Sequence, residues 1–277
     1  MNIVETLSLI LLAFASTASL STVGLAGGVI IVPILIIFFG LESKYAAGTG
    51  IFAITFGIFS AAFTYFRQRR VDVKLALLFD TLDILGVVAG AYLVVILPSN
   101  ITAILMGVFL IISAWRLWSG GGGEDKTIRR RNHKFTFKRH LVDRDGNVYE
   151  YGFSFSELAL SQFASILSGV ATGLFGIGGG AVDTTIMMLI GVPPHVAVAT
   201  AVFGMTITKI AGVFSHLLLG NVLLEYGVPL AIGAILGGQL GPRLSKRTKP
   251  KILRQMLSII ILLIGIRMVM FCFPSYS

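Results

Sequence analysis

The sequence predicts an all-α polytopic membrane protein. About ten transmembrane helices form two inverted five-helix repeats, with a small polar insert between them. Three observations carry this. Apolar residues make up 55% of the chain and charged residues 13%, roughly half the charged share of a soluble domain. The apolar residues fall in blocks suited to helices, which need roughly 20 residues to cross a bilayer, and lack the alternation of a membrane barrel. Finally, the second half of the chain repeats the first at a spacing of about 151 residues.

The apolar blocks place spans at about 3–21, 27–40, 45–66, 73–97 and 100–118, then 156–174, 178–191, 195–219, 223–242 and 252–272. The first block has Glu5 but no Lys or Arg ahead of it, so it reads as a membrane helix rather than a signal peptide. Spans two and seven are short, each follows a glycine cluster, and Pro33 interrupts the first of them; both are candidates for broken or re-entrant segments. The organisation is a first repeat over 1–118, an insert over 119–155 and a second repeat over 156–277. The insert opens with four glycines and the basic run Arg129, Arg130 and Arg131. Partly alternating stretches at 133–137 and 148–155 flank Asp143-Arg144-Asp145-Gly146-Asn147, which reads as a small β-hairpin outside the membrane; a disordered linker is the alternative.

At the repeat spacing Gly40 falls on Gly191, Thr49 on Thr200, Phe52 on Phe203, Thr55 on Thr206, Gly86 on Gly237, Gly90 on Gly241 and Arg116 on Arg267. With one residue of slip, the cluster at 24–28 falls on that at 176–180. The loops exchange charge between the halves. Arg67, Arg69, Arg70 and Lys74 follow span three, while the matching stretch 218–225 has no Lys or Arg. Residues 97–100 have none after span four, while the matching loop carries Arg243, Lys246, Arg247, Lys249, Lys251 and Arg254. Basic loops are cytoplasmic by the positive-inside rule, so the halves are expected upside down relative to each other, with a cytoplasmic insert and both termini outside. The net charge of +9 is thereby a matter of topology, and no nucleic-acid partner is expected. Inverted repeats suit alternating access to a central site.

Several residues are candidates for that site. Gly24, Gly27 and Gly28, with Gly176, Gly178, Gly179 and Gly180, precede helices; glycine lets backbone N–H groups approach a ligand, and a helix N-terminus favours an anion. Tight helix packing is the competing reading. Lys209 lies in the middle of span eight, Asp80 and Asp83 in span four and Asp183 in span seven. Burying all four unpaired costs on the order of 10 kcal/mol, so they must face one another, water or a ligand. The aspartates are read as ion-pairing or proton-coupling groups, and Lys209 as a group that can attract an anion, with an ion pair to Asp183 or Asp83 as the competing reading. His216, two helical turns beyond Lys209, shares its face. Thr49 and Thr200 can donate to an anion, although Thr200 faces away from Lys209 and threonine hydroxyls often bond their own helix. Gln239 is a weaker pathway candidate. The glycines 86, 90, 233, 237 and 241 read as helix-contact stripes, and Arg116 and Arg267 as snorkelling ends. No H-E-x-x-H, G-x-S-x-G or cysteine pair occurs, so no catalytic, metal or cofactor role is expected.

The glycine clusters at 24–28, with Pro33 nine positions on, and at 176–180, together with Pro194-His195, Ala199-Thr200 and His216 followed by Gly220-Asn221-Val222, resemble the sulfite exporter TauE/SafE family over nearly the whole chain outside the insert. Ala26 stands where the first cluster commonly has glycine, and Thr185, beside Asp183, where proline is common. The resemblance implies export of a small sulfur-containing anion, sulfite or an organosulfonate, with the glycine segments lining the pathway. The expected protein is then a cell-membrane secondary transporter, with sulfoacetate among the candidate substrates and protons a candidate coupling ion through Asp183, Asp83 or His216. A passive anion channel, or a membrane sensor signalling through the insert, are the alternatives.

Overall fold

The computed structural model describes residues 2–25, 27–119, 137–177, 179–244 and 250–271. In the first half five helices follow one another: α1 (Ile3–Leu20), α2 (Gly28–Ile37), α3 (Ser43–Arg67), α4 (Val73–Ile96) and α5 (Ser99–Trp118). Strands β1 (Phe137–Val142) and β2 (Val148–Phe153) come next, then α6 (Phe155–Phe175), α7 (Gly180–Leu189), α8 (Pro194–Leu218), α9 (Leu224–Leu244) and α10 (Pro250–Phe271). Six of these, α1, α3, α4, α5, α6 and α8, are long and apolar enough to cross a membrane. Their boundaries have local causes. Asp72 Oδ1 accepts from Leu75 N (3.1 Å) to start α4. Ser154 and Glu157 bond each other's backbone N–H to start α6 (3.3 and 2.9 Å), a capping box. Pro194 takes the first turn of α8, where no N–H is required.

The two short spans are real helices of ten residues each, about 15 Å long, half of a hydrocarbon core. Pro33 lies inside α2 without ending it.

α3 and α8 occupy the centre: 72% of the apolar window of each is buried, against 28% for α1. The helices pair in a reciprocal pattern. α1 packs on α9 as α6 packs on α4, α3 packs on α9 as α8 packs on α4, and α5 meets α10. Individual contacts repeat too. A Cβ on Gly86 would collide with α6 at Ile166 and Val170, and one on Gly237 with α1 at Phe14 and Ala18. Both glycine stripes are therefore close helix contacts, made possible by the missing side chain. The left-handed backbone positions also match: Gly24 with Gly176, Gly40 with Gly191, and Arg69 with Gly220. Outward faces carry large apolar side chains, among them Leu85, Leu160, Leu218 and Leu263, each more than 60% exposed, as a lipid-facing surface requires.

The insert contains the expected hairpin, and its first strand continues past the expected end at Phe137. β1 spans 137–142, and Phe137 pairs with Phe153 through to Val142 with Val148; residues 133–136 of the expected strand lie outside the described residues. The turn sets this register. Asp143 Oδ1 accepts from Asp145 N and Asn147 N (both 2.9 Å), and Oδ2 accepts from Asn147 Nδ2 (3.0 Å) and Tyr149 OH (3.2 Å). Burial alone would raise the Asp143 carboxyl, but these donors outweigh it and hold the group at about 2.

The hairpin is docked on the bundle. Tyr151 and Phe153 join a buried cluster with Leu75 and Phe79 of α4, Met187 of α7 and Val196 of α8. Tyr151 OH donates to Asp72 Oδ2 (2.7 Å), and Arg139 pairs with the same carboxylate at 3.5 Å. Arg70 pairs with Asp143 and Asp145, each at 3.5 Å, while Arg144 N donates to Gln68 O (3.0 Å). The link between α3 and α4 is thus held by the turn and both strands.

Candidate functional site

The two glycine clusters meet. Gly24 ends a short 3-10 turn after α1 with φ +81°, and Gly176 ends α6 with φ +66°, a left-handed conformation that glycine adopts without strain. Each reverses the chain so that a half-length helix starts beside it. The contacts cross: a Cβ on Gly28, the first residue of α2, would lie 2.7 Å from Gly176 O, and one on Gly180, the first residue of α7, 2.6 Å from Gly24 O. Gly27 rests on Thr17 in the same way that Gly179 rests on Ser168. Neither α2 nor α7 has a side-chain cap, and the positive ends of the two helix dipoles lie together at this crossing. Gly178 lies outside the described residues.

Thr49 and Thr200, both 0% exposed, serve as matching ties between helices. Thr49 Oγ1 accepts from Leu223 N, and Thr200 Oγ1 from Asp72 N, each at 3.0 Å. Each hydroxyl oxygen therefore caps the loop that leads into α9 or α4. His216 is also buried and bonded: Nε2 lies 2.9 Å from Gly173 O, and Nδ1 3.3 Å from Asn221 Nδ2. A carbonyl can only accept, so Nε2 carries the proton and Nδ1 accepts from the amide. Its partner across the repeat is Tyr65, whose hydroxyl donates to Ser21 O (3.0 Å). That role of Tyr65 escaped the sequence reading, although the repeat spacing that pairs Thr49 with Thr200 also pairs Tyr65 with His216. Gln239 is exposed on the outside of α9, as are Arg116 and Arg267 on their helices.

The four intramembrane charges come together beside this crossing, on α4, α7 and α8. Asp80, Asp83 and Asp183 are at most 2% exposed and Lys209 is 0% exposed. One carboxylate oxygen from each acid lies within 4.8 Å of the others. Asp80 rests on the bare backbone of Gly204 in α8, where any Cβ would collide with its carboxylate. Lys209 interacts electrostatically with Asp83 and Asp183.

Comparison with known proteins agrees with this architecture. The family model described as sulfite exporter TauE/SafE matches residues 9–268. A probable membrane transporter protein of Bacillus subtilis, YunE, is 30% identical over 257 residues, covering 90% of this chain and 92% of its own length. A probable membrane transporter protein of Methanocaldococcus jannaschii is 27% identical over 267 residues, covering 90% of each chain. A shorter match, 32% over 110 residues, covers 40% of this chain and 23% of the sulfite exporter TauE/SafE family protein 3 of Arabidopsis thaliana. No solved structure gives a significant match.

Proposed function

This chain belongs to the sulfite exporter TauE/SafE family of membrane transporters, and from that premise we propose that it is a secondary carrier moving a small sulfur-containing anion, sulfite or an organosulfonate such as sulfoacetate, by alternating access. The observation that carries the reading is the reciprocal crossing of α2 and α7 at Gly28–Gly176 and Gly180–Gly24. Two half-length helices begin there with uncapped N-termini, and backbone N–H groups with positive dipole ends favour an anion without placing a full cation in the pathway. The half-helix geometry is also one that carriers use near the bilayer midplane.

Alternation follows from the pairing of the halves. A contact from half one to half two, matched by the same contact in reverse, is the self-complementary pattern of a two-fold relation. The exchange of basic loops between the halves then sets them in opposite orientation across the membrane. In that arrangement exchanging the conformations of the halves turns an outward-open protein into an inward-open one. The basic loop after α3 and the one after α9 lie on the cytoplasmic face with the hairpin, and both termini lie outside.

The test is flux in proteoliposomes containing the purified chain. Saturable counterflow of labelled sulfite or sulfoacetate is the expected result; ohmic single-channel currents refute the carrier. On a background with Cys272 replaced, cysteines at Arg69 and Lys246 should react with an impermeant reagent from one face and a cysteine at Leu219 from the other. Labelling of Arg69→Cys and Lys246→Cys from opposite faces removes the inverted arrangement.

A further inference from the structure

The charged cluster on α4, α7 and α8 has an uncharged twin. Carried across the repeat, Asp80 and Asp83 fall on Ala231 and Ala234 of α9, Asp183 on Ile31 of α2, and Lys209 on Ile58 of α3. All four are buried, at 7%, 0%, 0% and 4% exposure. The twin helices make the same pairings, α2 with α3 and α3 with α9 answering α7 with α8 and α8 with α4. The fold therefore closes around this position with alanine and isoleucine alone. Charge at the other position is not a packing requirement.

Nor do the charged groups satisfy one another's hydrogen bonds. Lys209 Nζ, Asp80 Oδ2, Asp83 Oδ1 and both oxygens of Asp183 are buried with no hydrogen-bond partner. The hydroxyl protons alongside are already used: Ser168, beside Asp183, donates to Gly179 O, and Thr208, beside Asp83, donates to Met205 O, both at 3.1 Å. Three carboxylates against one ammonium leave two uncompensated negative charges when all are ionised. Among the described residues, the helices packed around them supply no further cation, and Arg139 of the docked hairpin is paired with Asp72. α6 faces α4 with hydroxyls and glycine, including Ser161, Ser165, Gly169 and Thr172, and its Glu157 is used in the capping box. The charged residues of α3, Lys44 and Arg67, lie at its two ends. The remaining titratable group near Lys209 is His216, with both ring nitrogens engaged.

We infer that Asp80, Asp83, Asp183 and Lys209 form a proton-carrying site, present in one half only, that couples proton movement to the anion flux; the coupling rests on the carrier reading above. A proton from water on one face forms an O–H bond with an aspartate oxygen, and that bond breaks when the site opens to the other face. Lys209 stays an ammonium and holds the remaining carboxylates. A metal cation fits less well, because it would share the same oxygens with Lys209 and be repelled by it.

The discriminating variant copies the uncharged twin: Asp80→Ala, Asp83→Ala, Asp183→Ile and Lys209→Ile together. Closely similar apolar packing exists in the other half, where Ala53 stands opposite Gly204 in the repeat, so it is expected to fold. Full-length protein in proteoliposomes is assayed with sulfite and with sulfoacetate. Wild type should show uptake driven severalfold by an imposed pH gradient, and the fourfold variant and Asp183→Asn should retain anion exchange but lose that drive. Exchange with no response to pH in wild type overturns the proton site and leaves the carrier standing. A pH response undiminished in the fourfold variant does the same. A drive that follows Na⁺ and ignores pH reassigns the site to a metal cation and overturns the proposal. If no anion moves at all, the carrier reading fails, and infrared spectroscopy still decides the site. On titration, wild type should gain a protonated-carboxyl band that the fourfold variant lacks; the same band in both overturns the inference.

Discussion

Tyr65 and His216 hold corresponding places in the two halves, 151 positions apart, and each ties a central helix to the carbonyl at the end of the neighbouring span. Tyr65 OH reaches Ser21 O at 3.0 Å, and His216 Nε2 reaches Gly173 O at 2.9 Å. Because a phenol in one half does what an imidazole does in the other, the His216 site is a structural tie. His216→Phe leaves Gly173 O and the Asn221 amide without partners. It is expected to lower stability in detergent by about 1–3 kcal/mol per stranded group, read as an earlier thermal transition. The pH profile of anion flux should stay that of wild type in His216→Gln; a shifted profile would make the ring part of the proton route.

Thr49→Val and Thr200→Val test the second matched pair. Each removes the acceptor of one half-buried N–H, that of Leu223 or Asp72, at a cost of about 1 kcal/mol. The two losses should be similar in size, since the contacts are equivalent. Chemical-denaturant unfolding of each purified variant measures them.

Gly28→Ala and Gly180→Ala place a methyl against the carbonyl of Gly176 or Gly24. Backbone cannot step aside as a side chain does, and overpacking of this kind costs about 1–3 kcal/mol. Both should depress flux more than Gly146→Ala, a control in the hairpin turn with open space around it, whose own strain is a positive φ of 85°. Equal flux in all three would separate the crossing from the pathway.

The docked hairpin gives a prediction about acid. The Asp143 carboxyl is held at about 2 against an ordinary 3.8. Its lowered value means the charged form stabilises the fold fully above pH 3.8, and that contribution is lost as pH falls through about 2. Asp143→Asn should loosen the turn already at neutral pH and flatten its response to acid, as followed by protease cleavage between β1 and β2. Phe153→Ala, which empties the buried cluster under the hairpin, is expected to cost about 3–5 kcal/mol and to release the strands at all pH values.

The helices were legible in the sequence because a bilayer imposes a length and a polarity on any segment that crosses it. All ten expected spans have a helix within a few residues, and the short second and seventh are the two ten-residue helices. Paired glycines picked out in the sequence share a conformation as well, as the left-handed Gly40 and Gly191 do. The part of β1 from Lys138 to Val142 was not legible because its register comes from the Asp143 carboxylate gathering the turn, a contact that strand alternation does not encode. What tertiary structure alone decided is which distant groups meet: Gly28 with Gly176, Asp72 with Thr200 and Tyr151, and Asp80 with Gly204. These partners stand some 80 to 150 positions apart in the chain. Hydropathy shows that a charge is buried, but only the packing of α4, α7 and α8 determines that three acids and one lysine share the same pocket of low polarity.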